Sequence, residues 1–501
     1  MKHTIFATIA AAALTLTSCS DYLDINTDPN TPSADDLTTS LMLPTAEMNL
    51  AASYGNYMRI AGGYYAQQYA QSFGTSNYVD YSQFTMSATR SSSLAYTQIY
   101  LRVISNAQGI IEKAKANNEP GTVLAATVLK AFGYATLVDN YGETPYTEAL
   151  QNSITQPAFD DGRTVYDGII AELDEALSQS GLSASSSVAT NFLFTDGTAN
   201  NWIRLANALK LKLYTRISNV DTSVLPQIKT LIETADMPTA DVAWTGCWAS
   251  TSGSESPFYA EEFATNFGSN QINVIANVAL VQTMQQSDYT DPRLAAFFEP
   301  NSDGVYQGGV SGDNFTGSSF TDKSFSRPVA SYDMPVYLIT LSEINFWKAE
   351  YYARTNDATQ AAAAYADAVA SSFESAGVSG YETTVARYPY DQSNWKKCIG
   401  IAKWVALSGV NPHESWCEMR RLGYPTFDTT ITGANLWNGS TYSPESYTNP
   451  GTLYTPLQVD ANIGTNQILE RWPYAEAATS SNSNAPAQTA SCVKEKVFWA
   501  K

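Results

Sequence analysis

Residues 94–141 read LAYTQIYLRVISNAQGIIEKAKANNEPGTVLAATVLKAFGYATLVDNY, and this stretch decides the fold class. Leu94, Leu101, Ile104, Ile110, Ile111 and Ala114 recur at the spacing of one helix face. Asn117-Asn118-Glu119-Pro120-Gly121 breaks the pattern, because Pro and Gly interrupt a helical run. Residues 123–141 resume it, with Leu124, Val128, Ala131, Phe132, Ala135 and Val138 on one face. Two helices joined by so short a break form a hairpin.

Three more hairpins follow the same plan. They pair 164–177 with 199–217, 343–353 with 358–373, and 394–407 with 412–422. Asp357 is the expected N-cap of the 358–373 helix. Ala206 and Ala208, like Ala349 and Ala353, are small where paired helices must approach closely. The chain is therefore expected to be mainly α, with four tetratricopeptide-like helical pairs. The pairs share little sequence, which leaves a plain helical bundle as the alternative. Residues 239–333 and 426–450 are rich in Gly, Ser, Asn and aromatics and lack helical period. Such long irregular insertions are expected to fold over the scaffold and carry the function.

The N-terminus predicts export. Lys2 and His3 precede a nearly uninterrupted apolar run, residues 5–16, too short for a stable membrane span but suited to a signal sequence. It ends in Leu16-Thr17-Ser18-Cys19, which resembles a bacterial lipobox. Residues 1–18 are then a signal peptide, Cys19 carries the lipid, 19–36 form a tether and 37–501 a single domain. The lipid is the only membrane attachment expected. Asp24, Asn26, Asp28 and Asn30 alternate like half of a calcium loop, but Pro29 stands where Gly is required and Asp35 where a bidentate Glu belongs. An Asx-turn tether without metal is the simpler reading.

Composition excludes several functions. With 28 basic and 48 acidic residues the net charge is −20, which argues against binding nucleic acid. Cys247, Cys398, Cys417 and Cys492 show no metal-knuckle spacing and are expected as buried thiols, with Cys398–Cys417 the first pair to test for a disulfide. After signal removal His413 is the one imidazole, and it lacks the surroundings of a nucleophilic triad. No zinc-protease, Walker A or dinucleotide fingerprint occurs, so no cofactor is expected. Many acidic residues lie near one another, yet none stands out as a glycosidase pair. Gly62-Gly63 reads as a flexible pair in an aromatic segment.

Aromatic density supplies the positive candidate. Tyr54, Tyr57, Tyr64, Tyr65, Tyr69, Phe73, Tyr78, Tyr81 and Phe84 crowd one stretch, interleaved with Gln67, Gln68, Gln71, Asn77 and Asp80. Rings stack on sugar faces while amides and carboxylates bind hydroxyls. Members up to Tyr69 have helical spacing and suit a core. Tyr78 and Tyr81, with Tyr306 and Phe315 beside Gly308, Gly309 and Gly317 of the insertion, are the expected ligand-binding residues, presented by a mobile backbone. Tyr259 and Trp248 are weaker candidates.

Several motifs point to a family. The tether Asp21-Tyr22-Leu23-Asp24-Ile25-Asn26-Thr27-Asp28-Pro29-Asn30, directly after the lipobox, resembles that of SusD/RagB-like nutrient-binding outer-membrane lipoproteins. Further matches are Lys130-Ala131-Phe132-Gly133-Tyr134, Asp139-Asn140-Tyr141-Gly142, Asp291-Pro292-Arg293-Leu294, Ala349-Glu350, Glu414-Ser415-Trp416 through Arg420-Arg421-Leu422-Gly423, and Arg471-Trp472-Pro473-Tyr474. The resemblance implies a helical scaffold with four tetratricopeptide-like pairs and a non-catalytic role. It also implies a partner, a SusC-like TonB-dependent outer-membrane transporter over which the lipoprotein captures an oligosaccharide or peptide at the cell exterior. The glycan reading leads, a peptide ligand is the alternative, and a glycoside hydrolase is less favoured.

Overall fold

Pro120 starts the second helix of the first hairpin rather than ending the break before it. In the computed structural model, which describes residues 37–264, 272–321 and 323–501, helix Ser105–Ala116 packs against helix Pro120–Tyr141. Proline is tolerated in a first turn because its missing N–H has no helical partner there. The other hairpins pair Gly162–Ser178 with Asn200–Ile217, Leu341–Arg354 with Ala358–Ser375, and Trp395–Ala406 with Pro412–Leu422. Their caps explain their bounds. Asp161 accepts from the Arg163 and Thr164 amides, and Thr340 with Glu343 forms a capping box. Asp357 accepts from the Gln360 amide at 3.0 Å, as its position predicts. The lipobox, Cys19, the tether and the alternating Asp/Asn run lie outside the described residues.

Three expectations need correction. Helix Pro120–Tyr141 does not bury one face: every residue from Gly121 to Tyr141 is buried. It is long and apolar enough to cross a membrane by composition, yet other helices enclose it. The segment before Ser105 winds in wide π-type turns, Ser92–Tyr96 and Gln98–Ile104, which rotate the expected face. Ile99, Val103 and Ile104 are buried while Leu101 is 58% exposed. Gly62 and Gly63 are not a flexible pair but lie in helix Arg59–Tyr65. A Cβ on Gly62 would sit 2.4 Å from the His413 Cα, so only glycine lets this helix rest on helix Pro412–Leu422.

Charge, not only apolar surface, joins the hairpins. Arg216 of the second pairs with Asp139 of the first and Glu414 of the fourth, and Lys212 reaches Glu414 at 2.7 Å. Arg421 bonds Glu350 of the third hairpin and Glu418 at 2.6 Å each, and Lys403 bonds Glu418 at 3.0 Å. All of these side chains are buried. Asp139 also accepts from Tyr166 Oη and Trp499 Nε1. Several family-like motifs, Asp139-Asn140, Ala349-Glu350 and Glu414 to Arg421, thus meet in one buried ionic network.

The insertion and C-terminal segments cover the scaffold through short strands. Tyr69–Gln71 pairs antiparallel with Val274–Ala276, Val242–Trp244 with Val336–Ile339, and Thr426–Thr432 runs parallel to Thr452–Thr455. These segments make a second core from Ile275, Val278, Phe315, Phe325, Trp437 and Tyr454. Gly308 is close-packed rather than mobile, since a Cβ there would meet the Asn277 backbone at 2.4 Å. The four described cysteines are free, so Cys398 and Cys417 form no disulfide. Cys417 and Cys492 are buried as expected, whereas Cys247 and Cys398 are half-buried.

Glu47, on helix Thr39–Ser53, is fully buried, has no ion pair among the described residues, and accepts from the Phe192 and Leu193 amides. Burial pushes its carboxyl up to about 7, partly offset by those two hydrogen bonds. A raised folded-state value contributes stability below the ordinary carboxylate range, which is lost as pH rises through about 7. Glu47→Gln cannot ionise, so the melting-temperature difference, wild type minus variant, should fall between pH 5 and pH 8. Parallel melting curves across that range would contradict this.

Candidate functional site

The stretch after strand Tyr69–Gln71 turns back as a short helix, Val79–Ser82, and a second, Ala88–Ser91, whose N-cap Ser87 accepts from the Arg90 amide. Between them opens a cleft of about 580 Å³, lined by Asn77, Asp80, Gln83, Ser87, Thr89 and Arg90 with Ser76 and Val79. Arg90 forms an ion pair with Asp80, donates to the Asn77 carbonyl at 2.8 Å, and lies 4.5 Å from the Tyr81 ring centroid. One internal ion pair therefore sits among neutral amides and hydroxyls. Gln83 ties the cleft to the covering segments, donating to the Gly312 carbonyl at 3.2 Å and Gln458 Oε1 at 3.3 Å.

Tyr78 and Tyr81 lie beneath this cleft, not on its surface. Their rings stack 5.7 Å apart at 4°, and they are 6% and 1% exposed. Tyr64 and Tyr65 pack behind them, and Tyr65 reaches Trp416 of the fourth hairpin at 5.4 Å. Tyr78 Oη donates to Glu261 Oε1 at 3.3 Å, and burial raises its phenol well beyond the ordinary range. The expected presentation of exposed rings is thus corrected, because these phenols gain more from mutual packing than from solvent. Phe315 is fully buried in the second core against Phe325 at 4.7 Å. Tyr306 is half-buried against the main core, and neither residue lines the cleft. Tyr259 stacks on Phe263 at 6.0 Å, and Trp248 donates to the Trp244 carbonyl at 3.2 Å.

The structure brings Asn77 and Asp80 together with residues that the aromatic reading passed over, namely Gln83, Ser87, Thr89 and Arg90. The available signal was a lone Arg closing a Ser/Thr-rich segment in a chain poor in cations. His413 is buried with Nε2 2.8 Å from Asn140 Oδ1, and burial pushes it down to about 3, so it is a neutral packing residue in the ordinary pH range. Among the described residues no cluster of His, Cys, Asp and Glu could hold a metal ion.

The comparisons with known proteins agree with this fold. A SusD homologue from Bacteroides uniformis superposes with a TM-score of 0.70 at 20% identity, over 92% of this chain and 99% of its own. A chitin-binding SusD homologue from Flavobacterium johnsoniae gives 0.70 at 19% identity, over 92% and 97%. A SusD homologue from Bacteroides thetaiotaomicron gives 0.68 at 19% identity, over 89% and 93%. No curated protein matches in sequence. At these identities the likeness establishes the fold, a mainly α, SusD-like one. The family model described as starch-binding and associating with the outer membrane matches residues 29–444, and the chain belongs to this SusD-like family.

Proposed function

We propose that the cleft at residues 76–90 captures a glycan oligomer at the cell surface for delivery to a TonB-dependent, SusC-like outer-membrane transporter. The observation that carries this reading is its lining: five neutral hydrogen-bonding side chains around one self-satisfied ion pair. Such a surface matches a chain of hydroxyls and acetamides without requiring charge on the ligand. A relative described as chitin-binding shares the fold. Tyr78 and Tyr81 act as a rigid floor that holds the lining in place. Catalysis is not part of this role. Asp80 is the one carboxylate in the lining and is neutralised by Arg90, whereas glycoside hydrolysis uses two carboxyl groups.

Titration of the mature protein with soluble chitin and starch oligomers tests the proposal. At least one series should bind without being cleaved. Asn77→Ala combined with Gln83→Ala should weaken it about tenfold, as each lost hydrogen bond is worth about 0.5–1.5 kcal/mol. Parent-level affinity in a folded double variant, or binding only of peptides, would overturn the glycan reading. The anchor has its own test. Cys19→Ala should leave the body folded but release it from the membrane fraction, and retention there would contradict a lipid as the sole attachment.

A further inference from the structure

A second cavity, of about 490 Å³, shares no lining residue with the cleft. Its walls are insertion helix Val278–Met284, the second helix of the third hairpin, helix Tyr381–Arg387 and the first helix of the fourth hairpin. This volume falls within the roughly 300–1,000 Å³ of small-molecule sites, which combine an apolar body with a few placed polar groups. Ile401, Ala402 and Val405 supply aliphatic surface, and Tyr289, Tyr365 and Tyr388 supply rings. Tyr388 is 40% exposed.

Most of the charge in the lining is already spent. Arg293 is bound to Asp291 at 2.6 and 3.0 Å and to Ser372 at 2.7 Å. Arg387 is bound to Asp288 at 2.8 and 3.0 Å and lies 5.2 and 5.8 Å from the Tyr289 and Tyr388 ring centroids. Asp391 caps its own turn, accepting from Ser393 and Asn394. Lys397 is the exception: it lines the cavity, is exposed, and has no ion pair among the described residues. Of the three cations in the lining, Arg293, Arg387 and Lys397, only Lys397 stands outside an ion pair among the described residues.

We infer that this cavity is a second binding site, for a compact molecule with an aromatic or alicyclic body and one anionic group. The body occupies the space between the Tyr rings and the Ile401–Val405 face, and the anion faces Lys397. The site acts independently of glycan capture.

The test uses 2-naphthoate and its neutral analogue 2-naphthalenemethanol, titrated into the mature protein by calorimetry. Naphthoate should bind saturably and about fivefold more tightly than the alcohol, the scale of one exposed ion pair. Lys397→Met should bring naphthoate to the level of the alcohol. Ala402→Trp, or Ala402→Phe if the larger ring prevents cooperative folding, should abolish binding of both while leaving oligosaccharide affinity unchanged. The absence of saturable naphthoate binding, or binding that survives filling at position 402, would overturn the site. Equal affinity for the two probes, or no effect of Lys397→Met, would overturn the anionic ligand class.

Discussion

Arg216→Met should lower the unfolding free energy by about 3–5 kcal/mol, the cost of breaking a buried ion pair from one side. The reason is the position of Arg216 between Asp139 and Glu414, all of them buried. Methionine fills part of the volume but leaves two carboxylates to be held by Tyr166, Trp499 and Lys212 alone. Those donors cannot replace a guanidinium, since an uncompensated charge inside a protein is far costlier than an unmade neutral contact. Adding Asp139→Asn should recover part of the loss, because one of the stranded charges is then removed. Denaturant unfolding measures both. A single variant within 1 kcal/mol of the parent would mean that the network does not hold the hairpins together.

Trp202→Ala should cost about 3–5 kcal/mol by a different route, the loss of apolar contact and the cavity left behind. Trp202 is fully buried on the helix face it shares with Leu205, Leu209 and Leu213, and Phe194 meets it edge-on at 5.2 Å. The second hairpin packs through this face, so its docking weakens when the indole goes. A melting temperature equal to the parent's would place the ring outside the core.

The hairpins were legible because a helix must repeat its apolar face every 3.6 residues, and because Asp357 carries a capping instruction that needs no tertiary context; Pro120, read as part of the break, instead begins its helix. Periodicity does not reveal what covers the polar side. Helix Pro120–Tyr141 therefore looked one-sided although it is enclosed, and nothing in the local sequence around Lys212, Arg216 and Glu414 announces their burial. The insertion gave little periodic signal because its strands are two to four residues long. Of the aromatic residues expected at a ligand site, Tyr78, Tyr81 and Phe315 are buried. Tyr78 and Tyr81 face inward onto Tyr64 and Tyr65 of helix Arg59–Tyr65, and Tyr65 in turn packs against the distant Trp416. The polar residues between them were left to line the cleft, and only the folded backbone brings Arg90 to Asp80.

A crystal structure of the mature protein with a bound chitin or starch oligomer, whichever binds in solution, tests whether a glycan lies in the cleft formed by residues 76–90. Sugar density is expected against Asn77, Gln83 and Arg90, with the Tyr78–Tyr81 stack unmoved beneath it. Sugar bound elsewhere on the molecule, with this cleft unoccupied, would contradict it.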